Sequence, residues 1–219
     1  MTNTKKYTQQ EILEEFKKWL DYRENDRKST EFEIIRTTTK KIETKDIQLG
    51  DKIVVRLSDG LGTHTATAHK ITNDGVMFVF DSCVTTKAMN NENDTNIGGY
   101  DSSDLKIWID TELFRAFPEN LKRYMMDLRI PTVGEILGWE DDWDEEHFIY
   151  DNDEQLPLMR NVKYRISTYG SYLSTYWLKN ATKENFSAAY FAVMRGYGFA
   201  HYNGASYSYG VRPVFWLVK

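Results

Sequence analysis

Apolar residues recur with helical spacing at Ile12, Leu13, Phe16, Trp19 and Leu20, and Thr8 followed by Glu11 is a capping-box start. The pattern predicts a helix over 8–22. A polar loop follows to Thr30, and Phe32, Ile34 and Ile35 among β-branched neighbours predict a strand over 31–38. Strand-like runs over 53–57, 63–71 and 76–80 are separated by the turn signals Ser58-Asp59-Gly60 and Thr72-Asn73-Asp74-Gly75. They predict an antiparallel meander over 52–82 whose last strand, apolar on both faces, is buried. The polar stretch 90–100 predicts a loop. After it, Ser102 or Ser103 caps a helix carrying Leu105, Ile107, Trp108, Ile109, Leu113 and Phe114. Pro118 separates that helix from a second short one over 121–128, and Pro131-Thr132 opens a third over 133–139, closed by Gly138. The acidic run 140–146 reads as a surface insertion. Strand and turn patterns resume after Leu158, most clearly at 176–178, 188–194 and 211–218.

Composition narrows the class. The 219 residues are 41% hydrophobic and 28% charged, which suits a folded globular chain. Aromatic residues reach 14%, a supply that serves either a tyrosine-rich core or a recognition surface. The formal net charge of −5 offers no broad basic field, so no direct nucleic-acid partner is expected; a local basic patch, or acidic mimicry of a nucleic acid, stays open. Cys83 is the only cysteine, so neither an intrachain disulfide nor a cysteine-based zinc knuckle can form. The N-terminal residues lead into a charged amphipathic segment, so a secretory signal of the usual form is not expected, and the chain is placed in a cytoplasm. No stretch approaches the roughly 20 apolar residues of a membrane span, so no membrane insertion is expected.

The C-terminal segments Tyr176-Trp177-Leu178-Lys179, Phe186-Ser187-Ala188-Ala189-Tyr190-Phe191-Ala192-Val193 and Gly210-Val211-Arg212-Pro213-Val214-Phe215-Trp216-Leu217 resemble an uncharacterised family common in gut-dwelling Gram-positive bacteria and their phages. The upstream Ser102-to-Ile109 and Pro131-to-Gly138 segments resemble that family's helical half, so the resemblance covers roughly 45–219. The family in turn is similar to the C-type-lectin-like and sulfatase-modifying-factor group. The resemblance implies an α+β, C-type-lectin-like irregular fold: an N-terminal helix, an antiparallel meander, central short helices and a C-terminal antiparallel sheet. Residues 1–44 would form an extension and 45–219 the lectin-like domain. The enzymatic relatives do not carry over. Formylglycine-generating members use paired cysteines, and sulfoxide-forming iron members need His-x-x-x-His-x-Glu, a spacing absent among His64, His69, His147 and His201.

The stretch 195–209 reads as a hairpin rich in Tyr, Ser, Gly and Asn, the palette of a binding loop. Its candidate ligand-binding residues are Tyr197, His201, Tyr202, Asn203, Tyr207 and Tyr209; the same residues could instead pack the hairpin against the domain. Phage proteins of lectin-like fold can diversify this region for receptor binding. Structural roles fall to Gly210 (a positive φ or a close approach), Arg212 (a planar donor tying loop carbonyls or a carboxylate, with a ligand contact as the alternative), Pro213, Trp177 and Trp216. The acidic residues of 141–154 lack the spacing and central glycine of an EF-hand and read as a solvated loop, while Trp139 and Trp143 beside them are either a core staple or a sugar platform. His64 and His69, five apart on a strand, face opposite ways and read as lone satisfied histidines. Cys83 reads as a small packed hydrophobe. With no nucleophile elbow, P-loop or dinucleotide fingerprint, no catalytic residue, metal or cofactor is assigned. The expected function is a non-enzymatic binding module of a gut bacterium or its phage that recognises a protein or glycan through the hairpin. A phage-encoded intracellular inhibitor or accessory factor, anti-defence roles included, and a cryptic hydrolase are the alternatives.

Overall fold

The run Gly75–Phe80 is buried at all six positions, and that burial places it in the middle of a sheet rather than at an edge. The computed structural model describes residues 47–139 and 142–218; the predicted helix over 8–22 and strand over 31–38 lie outside them. The meander forms as expected from β1 (Lys52–Leu57), β2 (Gly62–Ile71) and β3 (Gly75–Phe80). After β4 (Thr85–Ala88) comes a long excursion of short helices. Ser103 caps α1 (Asp104–Trp108), which continues through a π-helical turn, Ile109–Leu113, and a last α-turn, Phe114–Ala116. Then follow α2 (Glu119–Lys122), β5 (Met125–Arg129), α3 (Val133–Leu137), α4 (Asp142–His147), a 3-10 turn (Pro157–Arg160) and α5 (Val162–Arg165). Strands β6 (Ser167–Tyr169) and β7 (Tyr172–Ser174) form a small hairpin, and β8 (Tyr176–Ala181), β9 (Tyr190–Met194), β10 (Ala200–Gly204), β11 (Ser208–Val211) and β12 (Val214–Val218) complete the chain.

The architecture is α+β, with two five-stranded sheets ordered β1-β2-β3-β12-β5 and β10-β9-β8-β11-β4. The first is antiparallel throughout. The second is mixed, because β11 meets β8 in parallel at Gly210 opposite Tyr176; the expected all-antiparallel C-terminal sheet is corrected here. Alternation along the central strands splits the core in two. Phe78 and Phe80 of β3, Phe215 of β12, and Trp177 and Val193 of the second sheet join α1 in one cluster. Met77, Val79 and Val214, with Tyr176, Leu178, Ala192 and Met194, join α3 and Met159 in the other. Phe78 and Phe215 are register partners with rings 5.7 Å apart, a cross-strand pair at the heart of the first cluster.

Three expectations about local structure fail. The predicted helix over 121–128 stops at Lys122, and Met125–Arg129 becomes an edge strand on β12. Its spacing of Met125, Met126 and Leu128 fits either period, and the open edge of β12 decides the matter. The run 211–218 is broken at Arg212-Pro213, where the chain leaves the second sheet for the first. Finally, 195–209 is not one hairpin. β10 pairs with β9 through the 195–199 turn, while β11 is separated from β10 by two strands and lies between β8 and β4.

His69 is the extra residue of a bulge in β2, between Ala68 opposite Phe78 and Lys70 opposite Met77. His64 is satisfied by Ser82 Oγ and Leu61 O, but His69, on the other face, is fully buried with neither ring nitrogen bonded. It meets the Tyr164 ring edge-on at 5.8 Å. The reading of both histidines as satisfied therefore fails for His69. Burial, seconded by the Arg212 charge and weakly by Lys52, outweighs Asp81 and lowers its pKa from 6.5 to about 4. A base whose folded pKa is depressed contributes fully above its unfolded value and loses that contribution as pH falls from 6.5 toward 4. At about 1.4 kcal/mol per unit the loss is roughly 3 kcal/mol. Urea unfolding at pH 7 and near pH 4 is expected to show this limb in the wild type and not in His69→Phe; equal slopes for the two proteins would refute it.

Candidate functional site

The edge strand β10 organises the most unusual surface among the described residues. Ala200 and Tyr202 lie on the face that packs against the second core cluster. Tyr202 sits opposite Ala192, and so diagonal to Tyr190 on β9; their rings stack at 5.4 Å and 6°. The helix α4 supplies the next rings. Trp143 and His147, four residues apart on one helical face, stack at 4.4 Å, and each is nearly parallel to Tyr202 at 6.1 and 6.0 Å. Phe186 closes the group edge-on, 4.6 Å from His147 and 4.8 Å from Tyr202. His147 Nδ1 donates to Trp143 O at 2.8 Å, which fixes the ring and leaves Nε2 as the acceptor in the neutral form.

Polar groups hold this row in place. The buried Asn96 amide nitrogen lies 3.0 Å from the carbonyls of Thr182, Ser187 and Tyr190, tying the 90–99 loop to the segment that carries Phe186. Lys183 N donates to His147 O, fastening the end of α4 to the same segment. On β10 the amides of Tyr202 and Gly204 face away from β9, and each is taken by the side chain just before it, His201 Nδ1 at 2.9 Å and Asn203 Oδ1 at 3.0 Å. The exposed edge is thereby blunted against pairing with another strand.

The six residues predicted for ligand binding do not form one site. Tyr202 and His201 belong to the row. Asn203 Nδ2 is bonded to the hydroxyl of Tyr209, whose ring stands edge-on to buried Trp177 at 5.1 Å, against the first cluster. Tyr207 is exposed and stacks beside Tyr209 at 6.5 Å. Tyr197 lies apart in the 195–198 turn, near Phe199 at 6.3 Å. His147, Phe186, Tyr190 and Asn96 were not predicted, and Trp143 was read only as a core staple or a sugar platform. The Trp143/His147 spacing was a helical signal, but it sat inside an acidic run that reads as loop.

Of the predicted structural residues, Gly210, Arg212 and Pro213 lie at the bend between the sheets. Gly210 makes a close approach without a positive φ: a methyl group there would lie 2.5 Å from Cys83 Sγ and 2.8 Å from Ser174 Oγ. Cys83 is buried, 3.4 Å from Ser167 Oγ, and burial pushes its thiol pKa up, which keeps it unreactive. Arg212, 2% exposed, donates to Phe80 O (2.7 Å), Tyr176 Oη (2.9 Å) and Tyr164 O (2.9 Å), and its guanidinium lies over the Tyr176 ring. Pro213 O accepts from Phe80 N. Trp177 Nε1 donates to Lys87 O, and Trp216 packs half-buried against the second cluster.

The acidic segment is not a solvated loop. Asp142–His147 is helical and Asp144 is buried. Asp151 accepts from Gly134 N, Asn180 Nδ2, Trp139 Nε1 and Asp153 N at 2.8–3.1 Å, so it satisfies amides at the start of α3. Thr132 and Glu135 form a capping box there, and Glu135 also receives a two-pronged ion pair from Arg129. Trp139 is thus tied into this network. Among the described residues no three His, Cys, Asp or Glu side chains converge as metal ligands. Two shallow depressions, of about 250 Å³ beside α1 and β4 and about 290 Å³ between Phe114 and β5, lie away from the row.

Comparison of the chain with family models, curated proteins and solved structures finds no match. The class defined by the coordinates is α+β, and no helix among the described residues is long and apolar enough to cross a membrane.

Proposed function

We propose that the chain is a non-enzymatic binding module of C-type-lectin-like arrangement that holds a protein ligand on the aromatic row around Tyr202. The arrangement is supported by the terminal strand β12 returning to the middle of the first sheet beside the early meander, with a long irregular excursion and a second sheet between them. The observation that carries the binding role is the row itself. Rings from α4, β9, β10 and the 182–187 segment are stacked at a strand edge, where Phe186 is exposed and the others stay half-buried, with Trp143 and Tyr202 resting on the second core cluster. Rigid amphipathic rings give large contact areas at little entropic cost. A protein suits it better than a glycan, because the face of Tyr202 is taken by Tyr190, Trp143 and His147, whereas a sugar platform needs an open ring face.

The test compares Phe186→Ser and Tyr202→Ala with the wild type in capture of a protein partner and on a glycan array. Loss of a central aromatic anchor is expected to weaken the captured complex by about 30-fold while cooperative melting persists. Undiminished capture by both folded variants, or saccharide binding in place of protein binding, would overturn the reading.

A further inference from the structure

Charge is unevenly divided along this chain. Residues 155–219 hold eight Lys and Arg against one carboxylate, Glu184, a formal +7 in a protein whose total is −5; residues 1–154 therefore carry −12. The basic part includes the neighbouring tips of three elements. A methyl group at Gly196 would lie 3.2 Å from Leu173 Cβ, and one at Gly198 would strike Val162 Cγ2, so the 195–198 turn touches both the β6–β7 hairpin and α5. These tips expose Tyr172 (81%), Tyr197 (65%), Phe199 (63%) and Leu173 (59%), together with Val162. Such a group of large apolar side chains at adjoining turns marks a contact surface, since single exposed hydrophobes are common and clusters are not. Lys163 and Arg195 belong to two of these tips, and Arg160 lies two residues before Val162. Among the described residues none of the three is in an ion pair, and Arg195 Nε is buried without an acceptor. Lys163 lies over the Tyr164 ring instead.

We infer that this surface docks an acidic polypeptide segment, its carboxylates paired with Arg160, Lys163 and Arg195 and its apolar side chains seated among Tyr172, Leu173, Tyr197 and Phe199. No ion pair among the described residues engages these cations, so their charge is available to a carboxylate. A short segment meets only the local patch, because charges beyond about 8 Å are screened at physiological salt. A bilayer or a nucleic acid extends beyond the patch and meets acidic residues of 47–154 as well. The surface is separate from the aromatic row, so each can fail without the other.

The probe is a fluorescent random copolymer of glutamate and tyrosine, titrated against the full chain at low and high salt, beside phosphatidylcholine–phosphatidylserine vesicles and single-stranded oligothymidylate. The copolymer is expected to bind in a salt-sensitive way. Lys163→Glu, and independently Tyr197→Ser, both at exposed positions, are expected to weaken it by about tenfold or more with melting unchanged, and Phe186→Ser in the row to leave it unaltered. No copolymer binding, binding indifferent to both patch substitutions, or vesicles or oligothymidylate binding as tightly as the copolymer would overturn the inference.

Discussion

Replacing Arg212 with alanine is expected to cost about 3 to 5 kcal/mol of folding stability, which for a domain of ordinary stability approaches complete unfolding. The reason is positional. The strands 75–88 and 208–218 form one antiparallel ribbon that bends from the first sheet into the second, joined across the bend by Phe80 N to Pro213 O and Val84 N to Val211 O. A bend exposes carbonyls that a straight ladder would satisfy, and the Arg212 guanidinium reaches Phe80 O and Tyr164 O while also binding Tyr176 Oη. Alanine leaves Phe80 O buried without this donor and strips Tyr164 O of it as well, while Tyr176 Oη keeps only its own bond to Arg165 O. Lysine is expected to recover only part of the loss, because one ammonium cannot span acceptors that a planar fork meets from different sides. Urea unfolding with near-ultraviolet circular dichroism measures this directly. An Arg212→Ala midpoint within about 0.5 kcal/mol of wild type would show that the bend stands without it.

Gly134→Ala is expected to destabilise by about 2 to 3 kcal/mol, although helix propensity alone favours alanine by about 1 kcal/mol. Gly134 lies in the first turn of α3, and a methyl group there would collide with Asp151 Oδ1 and lie 2.5 Å from Asp153 O and 2.8 Å from Trp139 Nε1. The obstacle is the same carboxylate that satisfies the amide of Gly134, so Asp151 cannot retreat without abandoning that bond and those to Asn180 and Trp139. The opposed signs make thermal melting decisive. A higher melting temperature would mean that propensity governs and that the Asp151 network yields freely; a drop of several degrees is the expected result.

The network at α3 shows what was readable and what was not. Pro131-Thr132 and Gly138 announced both ends of the helix, and they sit where local geometry demands, with Gly138 at φ 74°. Nothing local announced that Asp151 and Asp153 would fold back to its first turn. Carboxylates in an acidic run ordinarily face water, and Asp151 turns half-buried to α3 because unpaired donors wait there. The aromatic row was half-legible for the same reason. Tyr202 stood out, but its partners come from α4, β9 and the 182–187 segment, and their convergence depends on which strand takes the place beside β9.

What the sequence by itself determined is the set of surfaces that had to be covered. The six-residue apolar run of β3 required cover on both faces, the alternation in β8 and β9 set which side chains turn to which cluster, and the turn residues of the meander fixed its order. The tertiary structure alone decided which edges met. Met125–Arg129 became a strand because β12 had an open side. The 195–209 stretch divided because β8 accepted β11 in parallel, leaving β10 to β9, and His69 was left unpartnered by a bulge. Patterning within a segment encodes a face and a period. Pairing between segments is a competition among distant edges, and its outcome belongs to the whole chain.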